Sequence, residues 1–219
     1  MDISITSNNT LLELMLHLQT FPQATSLLVG GCVRDIQLKK SPKDFDVVTN
    51  IDLDEISNVL SKNGWSIDEA GKQFFVLIAS KNDQQFEIAL FRKDCTYTDG
   101  RRPDSVQVGT IEEDAMRRDF TINSLYLNPW TGEIHDPTGR GLEDLKNRII
   151  RFNGKASERI KEDFLRIFRA YRQACTLGFT IEKNTLKNMR KYFNEACQKL
   201  PPERIRTEIE KFNPRSISS

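Results

Sequence analysis

Histidine and cysteine are both scarce in this chain. Its 219 residues include two histidines, His17 and His135, and four cysteines that lie far apart and form no Cys-x-x-Cys pair. A metal centre built from histidine is therefore nearly excluded. The cysteine spacing also argues against structural zinc, and we expect no disulfide bonds in a protein of the cytoplasm.

Long hydrophobic runs and an excess of one charge are also missing. The longest apolar stretches, such as residues 74–79, have the length of a strand, and no basic segment precedes a long apolar core at the N-terminus. We therefore expect no membrane-spanning helix, no secretory signal and a cytoplasmic location. Lys and Arg total 32 against 31 for Asp and Glu, so any binding of nucleic acid must come from local patches.

Hydrophobic spacing and turn residues divide the chain into short elements. They predict helices over residues 9–18, 52–63 and 111–118, and strands over 27–29, 74–79, 86–91, 122–127 and around Asp44 and Asp46. A polar turn at 81–83 indicates a hairpin, residues 96–109 have the composition of a loop, and the pattern is helical throughout beyond Gly141. This order predicts an α/β (α+β) protein with a catalytic part over residues 1–140 and a helical part over 141–219.

Paired glycines and paired aspartates follow the first predicted strand. Gly30 and Gly31 stand at its end, where glycine lets backbone amides approach a phosphate closely. Asp44 and Asp46 are two residues apart, so on a strand both carboxylates would point to one face. Two oxygen ligands on one face suit Mg²⁺, which can neutralise a triphosphate and lower the pKa of an attacking hydroxyl. Either pair alone is common in turns, and their combination predicts a nucleotidyltransferase.

Four motifs occur in a recognisable order along the chain. They are Gly-Gly-x-Val-Arg-Asp from Gly30, Lys-Asp-x-Asp-Val from Lys43, Arg-Arg-Asp-x-Thr-Ile-Asn-x-Leu from Arg117, and Glu-Asp-x-x-Arg from Glu162. Together they resemble the signature of the class II tRNA nucleotidyltransferase (CCA-adding enzyme) and bacterial poly(A) polymerase family. The resemblance covers roughly residues 25–212. It implies a polymerase-β-like head, with a mixed sheet flanked by helices, followed by an all-helical neck.

The resemblance also implies roles for individual residues. It makes Asp44 and Asp46 the catalytic metal ligands and Glu87 a third carboxylate, although by position alone Glu87 is equally well an exposed strand residue. Asp119 would contact the ribose, while Asp163 and Arg166 would bond the base edge. The full set implied to bind nucleotide is Gly30, Gly31, Arg34, Arg118, Asp119, Asp163, Arg166, Arg169 and Arg172.

From the residues alone, the basic motifs can also be explained by structural roles that involve no ligand. Arg117 and Arg118 also fit a basic last turn that favours the helix dipole. The arginines at 166, 169 and 172 also fit the solvated face of one continuous helix, whose apolar side runs from Ile160 to Cys175. Many relatives have proline at the position of Phe164, and we expect the helix to tolerate phenylalanine there. Near the C-terminus, Arg204 and Glu208 are predicted to form structural salt bridges.

The reaction implied is attack of an RNA 3′ hydroxyl on the α-phosphate of ATP or CTP, with Mg²⁺ as cofactor. We favour CCA addition to tRNA because residues 71–76, Gly-Lys-Gln-Phe-Phe-Val, resemble the form common in CCA-adding enzymes. Poly(A), CC or A addition, transfer to a protein or small molecule, and a catalytically silent binding module are the alternatives. Full-length relatives have further body and tail domains that grip tRNA, so a missing domain or a partner protein is expected to matter for RNA affinity.

Overall fold

The computed structural model describes Ile5 and residues 7–94 and 106–212. These residues form two compact units. The first contains the described residues up to Lys93, together with Val106–Ala115 and Asn123–Pro137, and the second contains Asp94, Met116–Ile122 and the described residues from Thr138 onward. The boundary expected between residues 140 and 141 stays a prediction about domains, but Met116–Ile122 packs with residues that follow it by more than twenty positions.

A seven-stranded mixed sheet forms the centre of the first unit. The strands described in this part of the chain are β1 (Ser26–Val29), β2 (Asp46–Thr49), β3 (Ser66–Asp68), β4 (Val76–Lys81), β5 (Gln84–Leu90), β6 (Arg92–Asp94), β7 (Val106–Val108), β8 (Tyr126–Leu127) and β9 (Ile134–His135). The order in the seven-stranded sheet is β3-β4-β5-β2-β1-β8-β9, in which β2 and β5 are parallel and the other neighbours antiparallel. A separate two-stranded ribbon pairs β6 with β7.

Three helices begin within one residue of the predicted starts at residues 9, 52 and 111, and a further helix over Gly31–Gln37 was not predicted. The helices of the first unit are α1 (Asn9–Gln19), α2 (Gly31–Gln37), α3 (Leu53–Lys62) and α4 (Ile111–Arg117). The Asp52 side chain accepts hydrogen bonds from the amides of Asp54 and Glu55, which caps the start of α3. Buried side chains from the strands pack with Ala115 of α4 and form one core, made of Leu27, Val29, Val48, Ala89, Phe91, Ala115 and Tyr126. This core fixes β1 and β2, which carry the glycine and aspartate motifs.

The predicted hairpin is confirmed. Strands β4 and β5 pair from Val76↔Ala89 to Lys81↔Gln84, and the two turn residues Asn82 and Asp83 both have positive φ angles, 52° and 57°. Asn and Asp tolerate this left-handed region better than most residues, and it matches the twist of the strands. Strand β4 begins two residues later than predicted, because Lys72–Phe74 forms a 3₁₀ turn and Phe75 has φ +60°.

The second unit is helical, with one small exception. Its helices are α5 (Gly141–Lys146), α6 (Ala156–Glu162), α7 (Leu165–Leu177), α8 (Lys183–Lys199) and α9 (Pro202–Glu210). The prediction of helices throughout this part is wrong at two places, because β10 (Ile149–Ile150) pairs in parallel with β11 (Thr180–Ile181). The strand predicted over residues 122–127 is also mostly wrong: Thr121–Asn123 is a 3₁₀ turn, and only Tyr126–Leu127 is extended.

The continuous helix predicted from Ile160 to Cys175 is interrupted. Helix α6 ends at Glu162, Asp163 is extended with φ −149° and ψ 106°, and α7 begins at Leu165. The Asp163 side chain accepts a 3.0 Å hydrogen bond from the Leu165 amide, which stabilises a new helix start at the expense of the old one. The single helix predicted over this segment is therefore wrong, whereas Phe164 is accommodated directly before α7 with φ −60° and ψ −22°.

None of the helices in the described ranges is long and apolar enough to cross a membrane.

Candidate functional site

The glycine pair forms the turn between β1 and α2. Gly30 has φ 82° and ψ −131°, a backbone conformation that side chains with a Cβ strongly disfavour, and its amide donates to the Leu125 carbonyl at 3.3 Å. At Gly31 an added Cβ would meet the Arg34 guanidinium only at an ordinary contact distance of 3.6 Å. The backbone conformation of the turn therefore requires glycine at position 30. At position 31 the absence of a side chain leaves the backbone accessible beside Arg34.

Arg34 is buried and is already bonded within the first unit. Its Nε donates to Asp35 Oδ1 at 2.8 Å, and its Nη1 donates to Asn123 Oδ1 at 2.8 Å. Asn123 belongs to the motif that starts at Arg117, so this bond ties two separate motifs together. The contact of Arg34 with nucleotide stays a prediction. The structure adds a second role, because the bonds of Arg34 hold the turn between β1 and α2.

The aspartate pair lies at the start of β2, with one member outside the strand. Asp46 is the first strand residue and is half-buried, Phe45 is buried, and Asp44 precedes the strand and is exposed. The expected alternation of polar and buried residues is present, but it begins before the regular strand. Across the sheet, Asp46 is the register partner of Val29 on β1, which places it beside the Gly30 turn.

Glu87 lies on the neighbouring strand, as predicted. Strands β2 and β5 run parallel, with Asp46 opposite Glu87, so both side chains are on the same face of the sheet. Glu87 is exposed. Within the described ranges, however, no three side chains of His, Cys, Asp or Glu come together as a metal-binding group. The third-ligand role of Glu87 therefore stays a prediction.

The donor set at this edge suits Mg²⁺ in its chemistry. Asp44 and Asp46 offer carboxylate oxygens, the ligands that Mg²⁺ prefers, and the exposure of Asp44 leaves room for the water molecules that Mg²⁺ retains. Among the described residues, the thiol of Cys32 lies in the adjoining helix α2; it is buried, donates to the Val29 carbonyl at 3.2 Å and has its pKa raised to about 12 by burial. It stays protonated and does not compete as a soft ligand.

A buried cluster of arginines and carboxylates forms the second group of predicted residues, and it lies entirely in the second unit. Asp119 is its centre: Oδ1 accepts from Arg166 Nε at 2.6 Å and Oδ2 accepts from Arg169 Nη1 at 2.7 Å. Burial by itself would raise the pKa of the Asp119 carboxyl, but the charges and hydrogen bonds of the two arginines outweigh it and lower the pKa. Asp119 is therefore held ionised.

Arg166 is the most enclosed arginine of the cluster. It is 4% exposed, and besides Asp119 it donates through Nη1 to the Arg159 carbonyl at 2.7 Å and to Glu162 Oε2 at 2.6 Å. Its Nη2 donates to the Arg117 carbonyl at 3.4 Å. Contact with a base through Arg166 would require one of these bonds to be exchanged. Arg169, with 35% of its side chain exposed, is the more accessible cation.

Asp163 is buried without a close cation. Its Oδ2 lies 4.0 Å from Arg169 Nη1 and its Oδ1 lies 3.8 Å from Arg204 Nη2, while Oδ1 accepts the Leu165 amide. Burial raises the pKa of Asp163, and these arginines and the amide only partly oppose the effect. A carboxylate with unused hydrogen-bonding capacity at the start of α7 is well suited to accept a donor from a ligand.

Helix α9 supports the cluster through ion pairs. Glu208 is buried and accepts from Arg172 Nε at 2.5 Å, and it lies 4.0 Å from Arg169 Nε. With the 3.8 Å approach of Arg204 to Asp163, these contacts confirm the predicted structural role of Glu208 and Arg204. Arg172 was predicted to bind nucleotide, and that role stays a prediction for a side chain that already pairs with Glu208.

The structure adds supporting residues that the motif analysis missed. Arg159 pairs with Glu162 and donates through Nη2 to the Arg117 and Arg118 carbonyls at 2.5 and 3.3 Å. The Asn153 side chain donates to the Arg118 carbonyl at 2.9 Å. Both residues fix the backbone that presents Arg118 and Asp119. The spacing of Arg159, Glu162 and Arg166 at three and four residues was the available signal.

The basic loop predicted over residues 96–109 lies largely outside the described residues. Its final part, Val106–Val108, is strand β7.

Comparison with protein families identifies two matching regions. Residues 26–151 match the model described as "Poly A polymerase head domain", and residues 178–212 match "Probable RNA and SrmB-binding site of polymerase A". Curated relatives include CCA-adding enzymes of Oceanobacillus iheyensis, 39% identical, and Enterococcus faecalis, 41% identical, each over 185 residues. Each alignment covers 84% of this chain and 44% of the relative. The chain thus spans less than half the length of these relatives.

Solved structures show the same similarity. The Bacillus stearothermophilus CCA-adding enzyme in complex with CTP has a TM-score of 0.82 and 27% identity, covering 97% of this chain and 49% of that chain. A tRNA nucleotidyltransferase complexed with a primer tRNA and an incoming ATP analog has a TM-score of 0.72 and 27% identity, covering 90% of this chain and 54% of that one. The predicted fold class is confirmed.

Proposed function

The chain belongs to the poly A polymerase head-domain family, and on that premise we propose that it is an RNA nucleotidyltransferase adding C and A to the 3′ end of tRNA. The observation that carries the proposal is the cluster around Asp119 in the second unit. Three residues from two distant motifs, Asp119, Arg166 and Arg169, meet there with Asp163 beside them. CCA-adding enzymes at 39–41% identity support the choice of reaction.

In this proposal the first unit supplies the metal ligands. Asp44 and Asp46 would hold Mg²⁺, with Glu87 next to Asp46 as a further carboxylate. When bound, the ion would neutralise triphosphate charge and lower the pKa of the attacking 3′ hydroxyl. Gly30 keeps the backbone turn beside Asp46 free of side-chain atoms, and Arg34 holds that turn through Asp35 and Asn123. These residues orient the carboxylates and leave space for phosphates.

The second unit would recognise the nucleotide. Asp163 accepts a hydrogen bond from the base, since its carboxylate has capacity left after bonding the Leu165 amide. Arg166 donates to the base after exchanging one of its internal bonds, and Arg169 is the accessible cation for phosphate or base. Gly31, Arg118, Asp119 and Arg172 complete the proposed nucleotide-binding set. Asp119 contributes mainly by fixing both arginines, and its contact with the ribose is part of the proposal.

The acceptor is proposed from the relatives. The CCA-adding enzymes and the tRNA complex favour tRNA over a protein or small molecule as acceptor. Reaction in the cytoplasm, where we expect tRNA to be available, is part of the same proposal.

Incorporation of labelled nucleotides tests the proposal. The 219-residue chain is incubated with Mg²⁺ and labelled CTP or ATP, separately and together, and with tRNAs that end before CCA, after C or after CC. Oligo(A) serves as the competing acceptor. The proposal expects C, C and A to be added in order, and addition to stop after A.

The other outcomes distinguish the alternatives. Addition of A alone or C alone, or continued adenylation of oligo(A), would replace CCA addition by another reaction of the same family. Label on protein in place of RNA would replace the acceptor. No labelling of any acceptor at high tRNA concentration would contradict the proposed enzyme activity for this chain.

A further inference from the structure

Arg159 of helix α6 belongs to none of the four sequence motifs and lies outside both regions that the family models match. It is one of two buried arginines in the described part of the second unit, with 9% of the residue exposed. Its Nη1 donates to Glu162, and its Nη2 donates to the carbonyls of Arg117 at 2.5 Å and Arg118 at 3.3 Å. One side chain therefore joins the two motifs that supply the buried cluster of this unit.

Two acceptors of Arg166 are also bonded by Arg159. The Arg117 carbonyl lies 3.4 Å from Arg166 Nη2 but only 2.5 Å from Arg159 Nη2. Glu162 Oε2 accepts from Arg166 Nη1 at 2.6 Å and also from Arg159 Nη1. The Arg159 side chain thus duplicates two of the hydrogen bonds that Arg166 makes.

The other two acceptors of Arg166 have second donors as well. Asp119 Oδ1 accepts from Arg166 Nε at 2.6 Å, and Oδ2 of the same carboxylate accepts from Arg169 Nη1 at 2.7 Å. The Arg159 carbonyl accepts from Arg166 Nη1 at 2.7 Å and from the Asp163 amide at 3.4 Å. Each group that accepts from Arg166 therefore keeps another donor when one of these bonds is broken.

This duplication lowers the free-energy cost of moving the Arg166 side chain. A buried acceptor that loses its only donor incurs the full penalty of its desolvation, and the penalty is larger for a charged group. Among the described residues, Arg159 and Arg166 are the two cations paired with Glu162, so Arg159 alone would remain when Arg166 moves. Burial, and then the charge of Arg166, lower the pKa of Arg159, because the two guanidinium groups repel each other.

We propose that Arg159 is a positioning residue for base recognition. It keeps Glu162 and the Arg117 carbonyl paired while Arg166 exchanges its bonds to them for a bond to the base of CTP or ATP. The inference rests on the proposed function, which makes Arg166 a donor to the base. Arg159 itself does not touch the nucleotide. A purely structural arginine would be needed equally with and without nucleotide, whereas this role requires Arg159 more strongly in the bound state.

The affinity for CTP tests the inference. In Arg159→Met, Glu162 loses its last cation when Arg166 turns to the base, so we expect the Kd of the 219-residue chain for CTP to rise about tenfold or more. Titration calorimetry measures the Kd at a temperature where every variant is folded.

Met189→Ala, which removes a fully buried side chain of α8, is the control for lost stability. Its melting temperature should fall because the substitution leaves a cavity, while its Kd for CTP stays that of the unaltered chain. An unchanged Kd in Arg159→Met would overturn the inference, and so would an equal rise of the Kd in Met189→Ala.

A double variant separates the proposed role from a structural one. Arg159→Met combined with Glu162→Gln removes the charge that Arg159 compensates. Because no uncompensated carboxylate then remains, the double variant should bind CTP about threefold or more tightly than Arg159→Met alone. A structural loss would instead grow with the second substitution. Equal or weaker binding by the double variant would therefore contradict the proposed role.

Arg159→Lys keeps the positive charge and decides the question if Arg159→Met does not fold. A lysine ammonium lacks the planar fork with which Arg159 holds Glu162 and the Arg117 carbonyl together. We expect KM for CTP to rise about threefold, while kcat at saturating CTP stays within about twofold of the unaltered chain. An unchanged KM, with or without a fall in kcat, would overturn the inference.

The two proposals can fail separately. If the unaltered chain binds CTP but adds no nucleotide to any tRNA, the proposed function fails, and the Kd values still decide whether Arg159 supports base recognition. If the chain adds nucleotides normally and Arg159→Met binds CTP with an unchanged Kd, only the inference about Arg159 fails.

Discussion

The two groups of predicted site residues differ sharply in how they are held. In the first unit, Asp44 is exposed. In the second unit, Asp119 and Arg166 are enclosed, and each bonds at least two partners of its own chain. The first group resembles a site prepared for a hydrated cation. The second group is already neutralised by its own charges.

Because of this difference, we expect substitutions in the first group to affect catalysis alone and substitutions in the second group to affect folding as well. A carboxylate on the surface contributes little to stability, so its removal should affect only the chemistry. A buried arginine between two carboxylates supports the fold, because its removal leaves uncompensated charges. Under the proposed function, the same atoms of the second group would serve both the fold and the nucleotide, and nucleotide binding there would require exchange of existing bonds.

The largest expected effect is on activity in the first unit. Asp44→Asn should lower the transfer rate roughly a thousandfold or more, because a metal ion supplies several kcal/mol of transition-state stabilisation. The free energy of unfolding should change by no more than about 0.5 kcal/mol. Glu55→Gln, which removes an exposed carboxylate on α3, is the control and should leave both quantities unchanged. Full activity of Asp44→Asn would remove the metal role from this residue.

Arg166→Met should be the most destabilising change in the second unit. It leaves Asp119 and Glu162 without their shared partner, and loss of one member of a buried ion pair costs about 3–5 kcal/mol. Urea denaturation measures the free energy of unfolding. Arg206→Met, at an exposed position of α9, is the matched control and should cost less than about 0.5 kcal/mol. Equal stabilities of the two variants would contradict the structural role of Arg166.

A smaller effect is expected at the glycine turn. Gly30→Ala forces a Cβ into φ 82° and ψ −131°, at a cost of about 1–3 kcal/mol. Gly132→Ala, also at positive φ but with nothing within 4 Å of the added atom, should cost only about 1 kcal/mol. Thermal denaturation compares the two variants. If Gly30→Ala proves as stable as the native chain, the strand-to-helix turn is not constrained as the structure indicates.

The smallest effect is a difference in pH dependence between two aspartates. The pKa of Asp119 is lowered in the fold, so its stabilisation is present above the pKa of the unfolded chain and is lost as pH falls through the folded value. The pKa of Asp163 is raised, so its stabilisation is present below the unfolded value and is lost as pH rises through the folded value. The two residues therefore act in opposite directions.

Denaturation between pH 6 and about pH 3 measures this difference. Asp119→Asn should make the free energy of unfolding fall less steeply on acidification than in the native chain, and Asp163→Asn should make it fall more steeply. The same change of slope in both variants would show that the two carboxyls do not have opposite pKa shifts.

Much of this architecture could be predicted from local sequence patterns. The cap at Asp52, the hairpin turn at Asn82 and Asp83, and the neighbouring strands of Asp46 and Glu87 agree with the expectations, although the parallel direction of those two strands was not predicted. The resemblance of the motifs to a known family was the strongest guide. It predicted the family that the comparison with protein families shows.

What could not be predicted depends on contacts between distant residues. The Asp163 side chain accepts a hydrogen bond from the Leu165 amide and interrupts a helix that the hydrophobic periodicity predicts to be continuous. In the strand predicted over residues 122–127, only Tyr126–Leu127 pairs with β1, while Thr121–Asn123 forms a 3₁₀ turn. The burial of Arg166 likewise could not be predicted from the spacing of residues, because its partner Asp119 lies 47 residues earlier in the chain.

The measurement that most directly tests this division is the affinity of the variants for CTP in the absence of divalent metal. Arg169→Met removes the accessible cation of the second unit and should raise the Kd for CTP about tenfold or more, as expected when a hydrogen bond to a charged group is removed. Asp44→Asn should bind CTP within about twofold of the native chain, because its role is to hold a metal ion. Unchanged binding by Arg169→Met, or equal weakening in both variants, would contradict the assignment of nucleotide recognition to the second unit.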